Sequence, residues 1–219
     1  MARSSSKTLD LSLPERLLDA GERLFGVHGL EGVSLRQISA AAGTRNNYAV
    51  QYHFGDGAGL IRAIVARRIP EFELNRAARL ARLSNEERID TRYLLEANFR
   101  AYFESGPIPA QFVLALLSSS EGWKPLDDAY AEMPIMQRII ELLAEANPGI
   151  PLRIIWQRLR SIAVMILTTA CNYRGREELP EISEAMLDDA FDMGAAALSV
   201  PVGPGRDVLV KDAERYFAR

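Results

Sequence analysis

The stretch from Ser34 to Leu60 reads SLRQISAAAGTRNNYAVQYHFGDGAGL, and it decides how the N-terminal part of the chain folds. Ser34 is a good N-cap, because its hydroxyl can accept a hydrogen bond from a free N–H of the first helical turn. From Leu35 to Ala42, apolar residues then recur on one face at helical spacing. Gly43 can adopt the left-handed conformation that ends a helix. The stretch therefore predicts a short helix followed by a turn.

A second short helix is predicted from about Asn47 to Phe54. Its inward positions are apolar, namely Ala49, Val50 and Phe54. Its outward positions carry polar or aromatic groups, namely Asn47, Tyr48, Gln51 and Tyr52. In the major groove of DNA, amide side chains pair with adenine, Arg pairs with guanine, and aromatic groups touch the thymine methyl. The two helices thus predict a helix-turn-helix whose second helix reads double-stranded DNA.

Three patterns with independent spacings surround this stretch. They are L-F-x-x-x-G from Leu24 to Gly29, V-S-L-R-Q-I-S-A-A-A-G from Val33 to Gly43, and H-F at 53–54 with Leu60 six residues beyond. Together they resemble the N-terminal domain of TetR-family transcriptional regulators. The resemblance implies an all-α fold, in which a three-helix helix-turn-helix head is joined to a helical body for ligand binding and dimerisation.

Two features depart from the family pattern. Between Gly43 and His53 the sequence carries one residue more than the commonest family spacing, which predicts a longer turn over residues 44–47. Where the family usually has a Tyr and a Lys that resemble phosphate contacts, Gln51 and Gly57 stand here. We expect Tyr52 to substitute for the first, and backbone N–H groups of the G-D-G-A-G segment to replace the second.

The candidate DNA contacts all lie between positions 34 and 53. The set comprises Ser34, Arg36, Thr44, Arg45, Asn46, Asn47, Tyr48, Gln51, Tyr52 and His53. Tyr48 and Gln51 are expected to contact bases, and Tyr52 and His53 to contact phosphates. The Thr and Asn side chains have an alternative role in shaping the turn, since Asn tolerates a left-handed backbone. His53 has an alternative role as a packing residue of the head.

Composition and charge agree with a DNA-binding protein. The chain has 219 residues, 48% of them hydrophobic and 25% charged, which is enough to bury a full core. The net charge is −3, but residues 1–70 hold nine Lys or Arg against six Asp or Glu, so the helix-turn-helix lies in the basic part. The single cysteine, Cys171, fits a reducing compartment and is interpreted as a core residue. Without a signal segment or a membrane span, we expect a cytoplasmic protein and no membrane partner.

We predict three segments along the chain. Residues 1–56 form the DNA-binding domain, of which 1–10 are a mobile arm, residues 57–200 form the ligand-binding and dimerisation domain, and residues 201–219 form a C-terminal tail. In the fourth helix, Pro70 removes an i to i−4 hydrogen bond, so the helix is expected to kink or stop at Ile69. The other predicted helices are Leu13–Gly29, Asn85–Glu104, Gln111–Leu117, Met133–Ala146, Leu152–Tyr173 and Ile182–Leu198.

The last two predicted helices carry more apolar surface than one core requires. We predict that they pack against their copies in a second chain as a four-helix interface, similar to that of TetR-family dimers. The interface residues predicted are Ile162, Met165, Ile166, Met186, Phe191, Met193, Gly194 and Ala197. The alternative is a fully internal helical pair in a monomer. A two-fold homodimer presents two recognition helices, so the expected operator is an inverted repeat.

Aromatic residues spread over several predicted helices are candidates for a ligand pocket. They are Phe99, Phe103, Phe112, Trp123 and Trp156. Apolar pockets between helices commonly bind small molecules, although aromatic residues at such spacing can equally be core. The family resemblance implies an apolar or amphipathic effector that releases the DNA by binding two states with different affinity.

Enzymatic readings have little support in the sequence. The two histidines, His28 and His53, both lie in the predicted head, so no His-based metal cluster or catalytic triad is available to the body. We expect no metal and no cofactor. The favoured function is a dimeric transcriptional regulator that acts as a repressor. The alternative is a TetR-like ligand-binding or interaction dimer without specific DNA binding, motivated by Gln51, Gly57 and the longer turn.

Overall fold

Ten α-helices account for most of the residues that the computed structural model describes, which are 11–83, 90–120, 122–173 and 180–203. The helices are α1 (Leu13–His28), α2 (Leu35–Ala41), α3 (Ala49–Phe54), α4 (Gly57–Leu83), α5 (Thr91–Glu104), α6 (Pro107–Ser118), α7 (Trp123–Asp128), α8 (Pro134–Ala146), α9 (Leu152–Tyr173) and α10 (Pro180–Ser199). A 3₁₀ turn, Tyr130–Glu132, lies between α7 and α8. Within these ranges there is no strand, and the predicted all-α class is confirmed. The predicted arm (1–10) and most of the predicted tail lie outside the described residues.

The described residues group into two compact units. The first unit comprises the described residues up to Pro70 together with Ile108–Ala131, and the second comprises Glu71–Pro107 together with the described residues from Glu132 onward. We predicted a boundary at residue 56, whereas this division falls within α4. The reason is that the first half of α4 supplies Leu60 and Ile64, both fully buried, to the core of the first unit.

The core of the first unit forms from one face of each helix. Leu17 and Phe25 of α1, Ile38 of α2 and Val50 of α3 are all buried, as the helical spacing of apolar residues requires. The ring of Phe25 also packs on that of Phe112 from α6, with centroids 6.5 Å apart. Thus α6 belongs to the same core although it lies far along the chain.

Two helices that contain proline have different bounds from those predicted. Helix α4 is continuous from Gly57 to Leu83 with Pro70 inside it, so the predicted stop at Ile69 is wrong. The loss of one backbone donor is outweighed because Ile69 and Phe72 on either side are both buried at helical spacing. Helix α6 begins at Pro107 and not at Gln111, because prolines in a first turn cost no hydrogen bond.

A buried carboxylate joins α1 to α4 in the first unit. Glu22 is 1% exposed, and its Oε1 accepts a hydrogen bond of 2.7 Å from Nε of Arg68. Its Oε2 accepts bonds from Nη2 of Arg67 at 2.7 Å and from Nη2 of Arg68 at 2.8 Å. Arg67 also pairs with Asp19 at 2.6 Å. Both carboxylate oxygens are therefore satisfied, which is the condition for a buried charge to be tolerated.

In the second unit, α10 packs chiefly on α9 and α5, while α5 also packs on α8. The close approach of α10 depends on Gly194, because a Cβ there would lie 3.0 Å from Cγ2 of Ile162 and 3.3 Å from Cδ1 of Leu95. Two arginines of α5, Arg92 and Arg100, pair with acidic residues of α10 along the same contact. Apolar packing and ion pairing thus fix α10 against α5 together.

Substitution by alanine should have opposite effects on stability at two serines, Ser34 at the cap of α2 and Ser39 within the helix. Ser39 is fully buried, and its hydroxyl has no hydrogen-bond partner among the described residues, so Ser39→Ala should stabilise the protein by about 1 kcal/mol. Ser34 accepts a bond from the N–H of Gln37, so Ser34→Ala should destabilise by about 1 kcal/mol. Urea unfolding of both variants checks the signs, and a loss of stability in Ser39→Ala would contradict the first.

Removing the charge of Glu22 should destabilise the first unit strongly. In Glu22→Gln the two arginines lose a buried partner, and since both are partly exposed the cost should be about 2 kcal/mol. The matched control is Glu31→Gln, at an exposed position, which should change the free energy of unfolding by less than about 0.5 kcal/mol. Equal effects of the two substitutions on chemical unfolding would count against the structural role of Glu22.

Candidate nucleic-acid interface

Helix α2 begins with a reciprocal pair of hydrogen bonds. The backbone N–H of Ser34 donates to Oε1 of Gln37 at 2.8 Å, and the N–H of Gln37 donates to Oγ of Ser34 at 3.3 Å. The Ser34 hydroxyl also donates to Oε1 of Gln37 at 2.8 Å. The predicted cap is confirmed, and Gln37 is its partner. Ser34 is exposed, so its hydroxyl can donate to a phosphate if it gives up its bond to Oε1 of Gln37.

The turn after α2 is built by side-chain hydrogen bonds to the backbone. Gly43 has φ +75°, as predicted for a residue that ends a helix, and the N–H of Thr44 donates to the carbonyl of Ser39 at 3.2 Å. Oγ1 of Thr44 then accepts from the N–H of Asn46 at 3.1 Å, and Oδ1 of Asn46 accepts from the N–H of Tyr48 at 3.0 Å. These bonds continue the turn and delay α3 until Ala49, two residues later than predicted.

An arginine of α1 fixes the end of α2 from outside. Arg16 donates from Nε to the carbonyl of Ala42 at 3.0 Å and from Nη1 to the carbonyl of Leu11 at 2.8 Å. The sequence analysis did not find this contact, since an Arg on an amphipathic helix is usually solvated. It holds the C-terminus of α2, and with it the turn, against α1.

Helix α3 divides into a buried face and an exposed face. Ala49 and Val50 are buried, with 1% and 0% exposure. Tyr48 and Tyr52 are 69% and 82% exposed, and Gln51 and His53 are exposed beside them. The Tyr52 and His53 rings meet edge to face with centroids 4.9 Å apart. Two large aromatic side chains at such exposure are unusual in a folded chain, which makes this face a candidate binding surface.

Exposed charged and amide groups flank this aromatic surface. Arg36, Arg45 and Asn47 are exposed, and within the described ranges the two arginines make no hydrogen bond or ion pair. Thr44 is half-buried and Asn46 is exposed, and one oxygen of each serves the turn. Of the predicted contacts, the arginines and the outward groups of α3 are therefore the ones free to meet DNA.

The start of α4 is different from expectation. We expected free backbone N–H groups of G-D-G-A-G to replace a phosphate-binding Lys, but Oδ1 of Asp56 accepts a hydrogen bond from the N–H of Gly59 at 2.6 Å. The carboxylate acts as a cap for this helix and places a negative charge where a phosphate would bind. The segment therefore favours helix initiation over phosphate binding.

The residues predicted at a dimer interface fall into two groups. Ile162, Ile166, Phe191 and Gly194 are buried by the chain's own helices, and Met165 is half-buried. Met186, Met193 and Ala197 of α10 are exposed, the two methionines by 37% and 47%. Ile182 and Val200, which the predicted set omits, are each 49% exposed. Ile182 and the three exposed members of the predicted set share one stripe of α10 at helical spacing, and Val200 lies directly after the end of that helix.

The residues predicted to line a ligand pocket are divided between the two units. Phe99 and Phe103 of α5 are buried in the second unit, where Trp156 of α9 is half-buried. Phe112 is buried in the first unit, and the side chain of Trp123 lies outside the described part of the chain. Each of the buried rings is thus part of the core of its own unit.

Among the described residues, no group of three or more His, Cys, Asp or Glu side chains is placed to hold a metal ion. Burial raises the pKa of the Cys171 thiol, which lowers its reactivity. Helix α9 is long and apolar enough to cross a membrane by length and composition only, and 44% of its apolar window is buried inside the protein.

Comparison with known proteins places the helix-turn-helix in a family. Residues 17–64 match the family described as bacterial regulatory proteins, tetR family. The match covers α1, α2, α3 and the beginning of α4, which are the elements described above. No match to a curated protein was found in the sequence comparison.

Solved structures extend the comparison to the body. A protein from Shewanella sp. PV-4, described as a tetR family transcription regulator, is similar over 85% of this chain and 98% of its own, with 17% identity and a TM-score of 0.61. A transcriptional regulator from Rhodococcus sp. Rha1 aligns over 86% of this chain and 99% of its own, with 22% identity, but its TM-score of 0.40 is too low to bear on the fold. Residues 17–64 therefore carry the sequence pattern of bacterial regulatory proteins of the tetR family, and the chain as a whole shares its helical fold with a solved structure described as a regulator of that family. These findings support a TetR-family regulator.

Proposed function

We propose that the protein is a dimeric repressor that binds an inverted-repeat operator and releases it when a small apolar or amphipathic molecule binds. The observation that carries this proposal is the exposed face of α3, where Tyr48, Gln51, Tyr52 and His53 stand free of the fold. In a TetR-family domain, that is the helix expected to enter the major groove.

The chemistry of α3 and its surroundings suits both kinds of DNA contact. Gln51 can pair with adenine, and the ring of Tyr48 can meet a thymine methyl. Arg36 and Arg45 supply two positive charges near the helix, and Tyr52 and His53 offer donors for phosphate. Phosphate contacts would supply most of the affinity and make it strongly dependent on salt.

The dimer is proposed to form through the exposed stripe of α10. Ile182, Met186, Met193, Ala197 and Val200 give an apolar surface that the chain itself leaves in water. Grouped apolar exposure of this kind marks an interaction site, and a two-fold interface would bury the stripe of one chain against its copy. Two heads held in one dimer are what an inverted repeat requires.

The effector response and the cellular location are proposed from the family. A molecule that binds one arrangement of the dimer more tightly than the DNA-bound one would shift the population toward release. We expect the protein to act in the cytoplasm and to have no enzymatic activity. The alternative, a ligand-binding or interaction dimer without specific DNA binding, is favoured by the Asp56 carboxylate at the start of α4 and by Gly57 at the usual Lys position.

DNA binding is tested first with two head variants and one body variant. Binding of the purified protein to its own upstream DNA should be tight and should weaken steeply across a salt series. If Arg45 contacts one phosphate in each subunit, Arg45→Ala should lower the slope of log K against log salt by about 2 per dimer. Tyr52→Ala should weaken binding of the dimer about thirtyfold, since each of the two subunits loses one contact that contributes on the order of 1 kcal/mol.

The matched control is Arg138→Ala in the body, where the guanidinium is exposed and pairs only locally with Glu141 and Glu145. This variant should keep the wild-type salt slope. If the upstream DNA binds no better than random DNA, selection from random duplexes decides between a distant operator and a silent head. An empty selection would rule out the regulator and leave the interaction dimer.

Charges on the α10 stripe should dissociate the dimer. The double variant Met186→Asp, Met193→Asp places two desolvated carboxylates in each half of a two-fold interface, so it should sediment as a monomer. The control is Leu74→Asp, which puts a charge on another exposed apolar residue, 69% exposed, and should leave the mass unchanged. Analytical ultracentrifugation at micromolar concentration measures both, and an intact dimer in the double variant would exclude this interface.

A further inference from the structure

A fully buried arginine lies in the second unit. Arg76 of α4 has 0% exposure and is the largest fully buried side chain among the described residues. Its Nε donates to Oδ1 of Asn98 on α5 at 2.9 Å, and its Nη1 donates to Oε1 of Glu73 at 3.0 Å. Burying a guanidinium is costly unless its donors are satisfied, so each of its nitrogens has to be accounted for.

One nitrogen of this guanidinium remains without a partner. Nη2 of Arg76 is buried and makes no hydrogen bond within the described residues. An unsatisfied buried donor costs about 1–3 kcal/mol, and more on a charged group. Such a group calls for a partner that the chain itself does not supply, which is an ordered water, an ion or a bound molecule.

One aromatic ring lies against the guanidinium, and two further rings lie beside that ring. Its Cζ lies 4.8 Å from the centroid of the Tyr102 ring, in a cation–π arrangement. The ring of Phe72 meets that of Tyr102 edge to face at 4.9 Å, and the ring of Phe99 lies 6.3 Å from it. A molecule that reached Nη2 would therefore meet aromatic surface on its apolar part.

The charge of Arg76 is already balanced. Glu73 pairs with it, and Oε2 of Glu73 also accepts a bond of 2.6 Å from the N–H of Ile135 at the start of α8. An ionised carboxylate brought to Nη2 would add an uncompensated negative charge to the interior. A neutral carbonyl oxygen would satisfy the donor and leave the charge balance unchanged.

We propose that Arg76 anchors the effector through Nη2, and that the effector is a neutral, largely apolar molecule with a carbonyl oxygen, such as a ketone, ester or lactone. This inference rests on the ligand response proposed above and assigns the chemical class of the ligand. Its apolar part contacts the rings of Phe72, Phe99 and Tyr102. Because Arg76 and Glu73 both belong to α4, binding acts directly on that helix.

The test compares three probes that share one aromatic ring and differ in the group attached to it: acetophenone, benzoate and ethylbenzene. Calorimetric titration of the full chain without DNA should show acetophenone binding about tenfold more tightly than ethylbenzene, with benzoate the weakest. The carbonyl stretch of bound acetophenone should also move to lower frequency in the infrared, as a hydrogen bond requires. These readings use the wild type alone and do not depend on a variant that folds.

Two substitutions locate the effect at Arg76. Arg76→Met removes the donors, and Arg76→Lys keeps the charge beside Glu73 but removes the planar guanidinium. Both variants should therefore bind acetophenone no more tightly than they bind ethylbenzene. Arg138→Met is the control at an exposed position and should bind as the wild type does. Benzoate binding most tightly, acetophenone and ethylbenzene binding equally, or no binding of any probe would each overturn the proposal.

The experiments distinguish a failure of the proposed Arg76 anchor from a failure of the proposed repressor function. Titration without DNA measures ligand binding at Arg76 alone. The same acetophenone series, added to a complex of the protein with its operator, measures release of the DNA. Binding that depends on Arg76 without any effect on DNA would support the anchor and count against a ligand-released repressor.

Discussion

The first unit depends on the way the Glu22 carboxylate is neutralised. A carboxylate with 1% exposure is tolerated only where charge and hydrogen bonds are both matched, and Arg67 and Arg68 supply three N–H donors to it. This arrangement fixes the face of α4 that meets α1. Arg16, on the same α1, then holds the carbonyl of Ala42 at the end of α2. Helix α1 therefore holds both neighbours by polar contacts, α4 through Glu22 and the turn after α2 through Arg16.

Helix α3, the proposed recognition helix, contributes little to its own stability. With six residues, α3 is far below the roughly 12–15 residues at which an isolated helix becomes marginally stable in water. Burial of Val50 and the hydrogen bonds of Thr44 and Asn46 hold it in place. Because these inward and turn groups carry the structure, Tyr48, Gln51 and Tyr52 are left without a structural task. Their substitution can be expected to change binding more than folding.

Periodicity predicted most of the helices well. The bounds of α9 agree with the prediction to the residue, and those of α1 to within one, because long amphipathic stretches with clear breaks leave little choice. The start of α3 was missed because side-chain oxygens replaced helical hydrogen bonds in the turn. Glu22 was missed because an acidic residue on an amphipathic helix is normally exposed, and its partners lie more than forty residues later. Short-range patterns carry no information on such pairs.

The same limit applies to the surfaces proposed for function. The apolar spacing of α9 and α10 shows that both helices have more than one apolar face, but it does not show which face the chain covers itself. The structure separates them: Ile162 and Ile166 are buried, while Met186 and Met193 remain exposed. For the ligand site, the sequence spacing selected large aromatic residues as the pocket lining. A buried aromatic ring, however, is stable in a core without any hydrogen-bond partner. A buried polar group does require a hydrogen-bond partner, and so Arg76 is more informative about a ligand than any of the rings near it.

The two buried ionic groups illustrate that difference. Glu22 and Arg76 are equally hidden from water, and each is paired with a side chain of opposite charge. Glu22 has both oxygens bonded, so adding another group there would gain nothing, and its role is complete within the fold. Arg76 leaves one nitrogen unbonded among the described residues, as Arg79 does at Nε, but the side chain of Arg79 is 20% exposed to water whereas Arg76 has 0% exposure. Since a fold selected for stability alone would gain by replacing such a donor, its presence is better explained by a molecule that binds it than by packing.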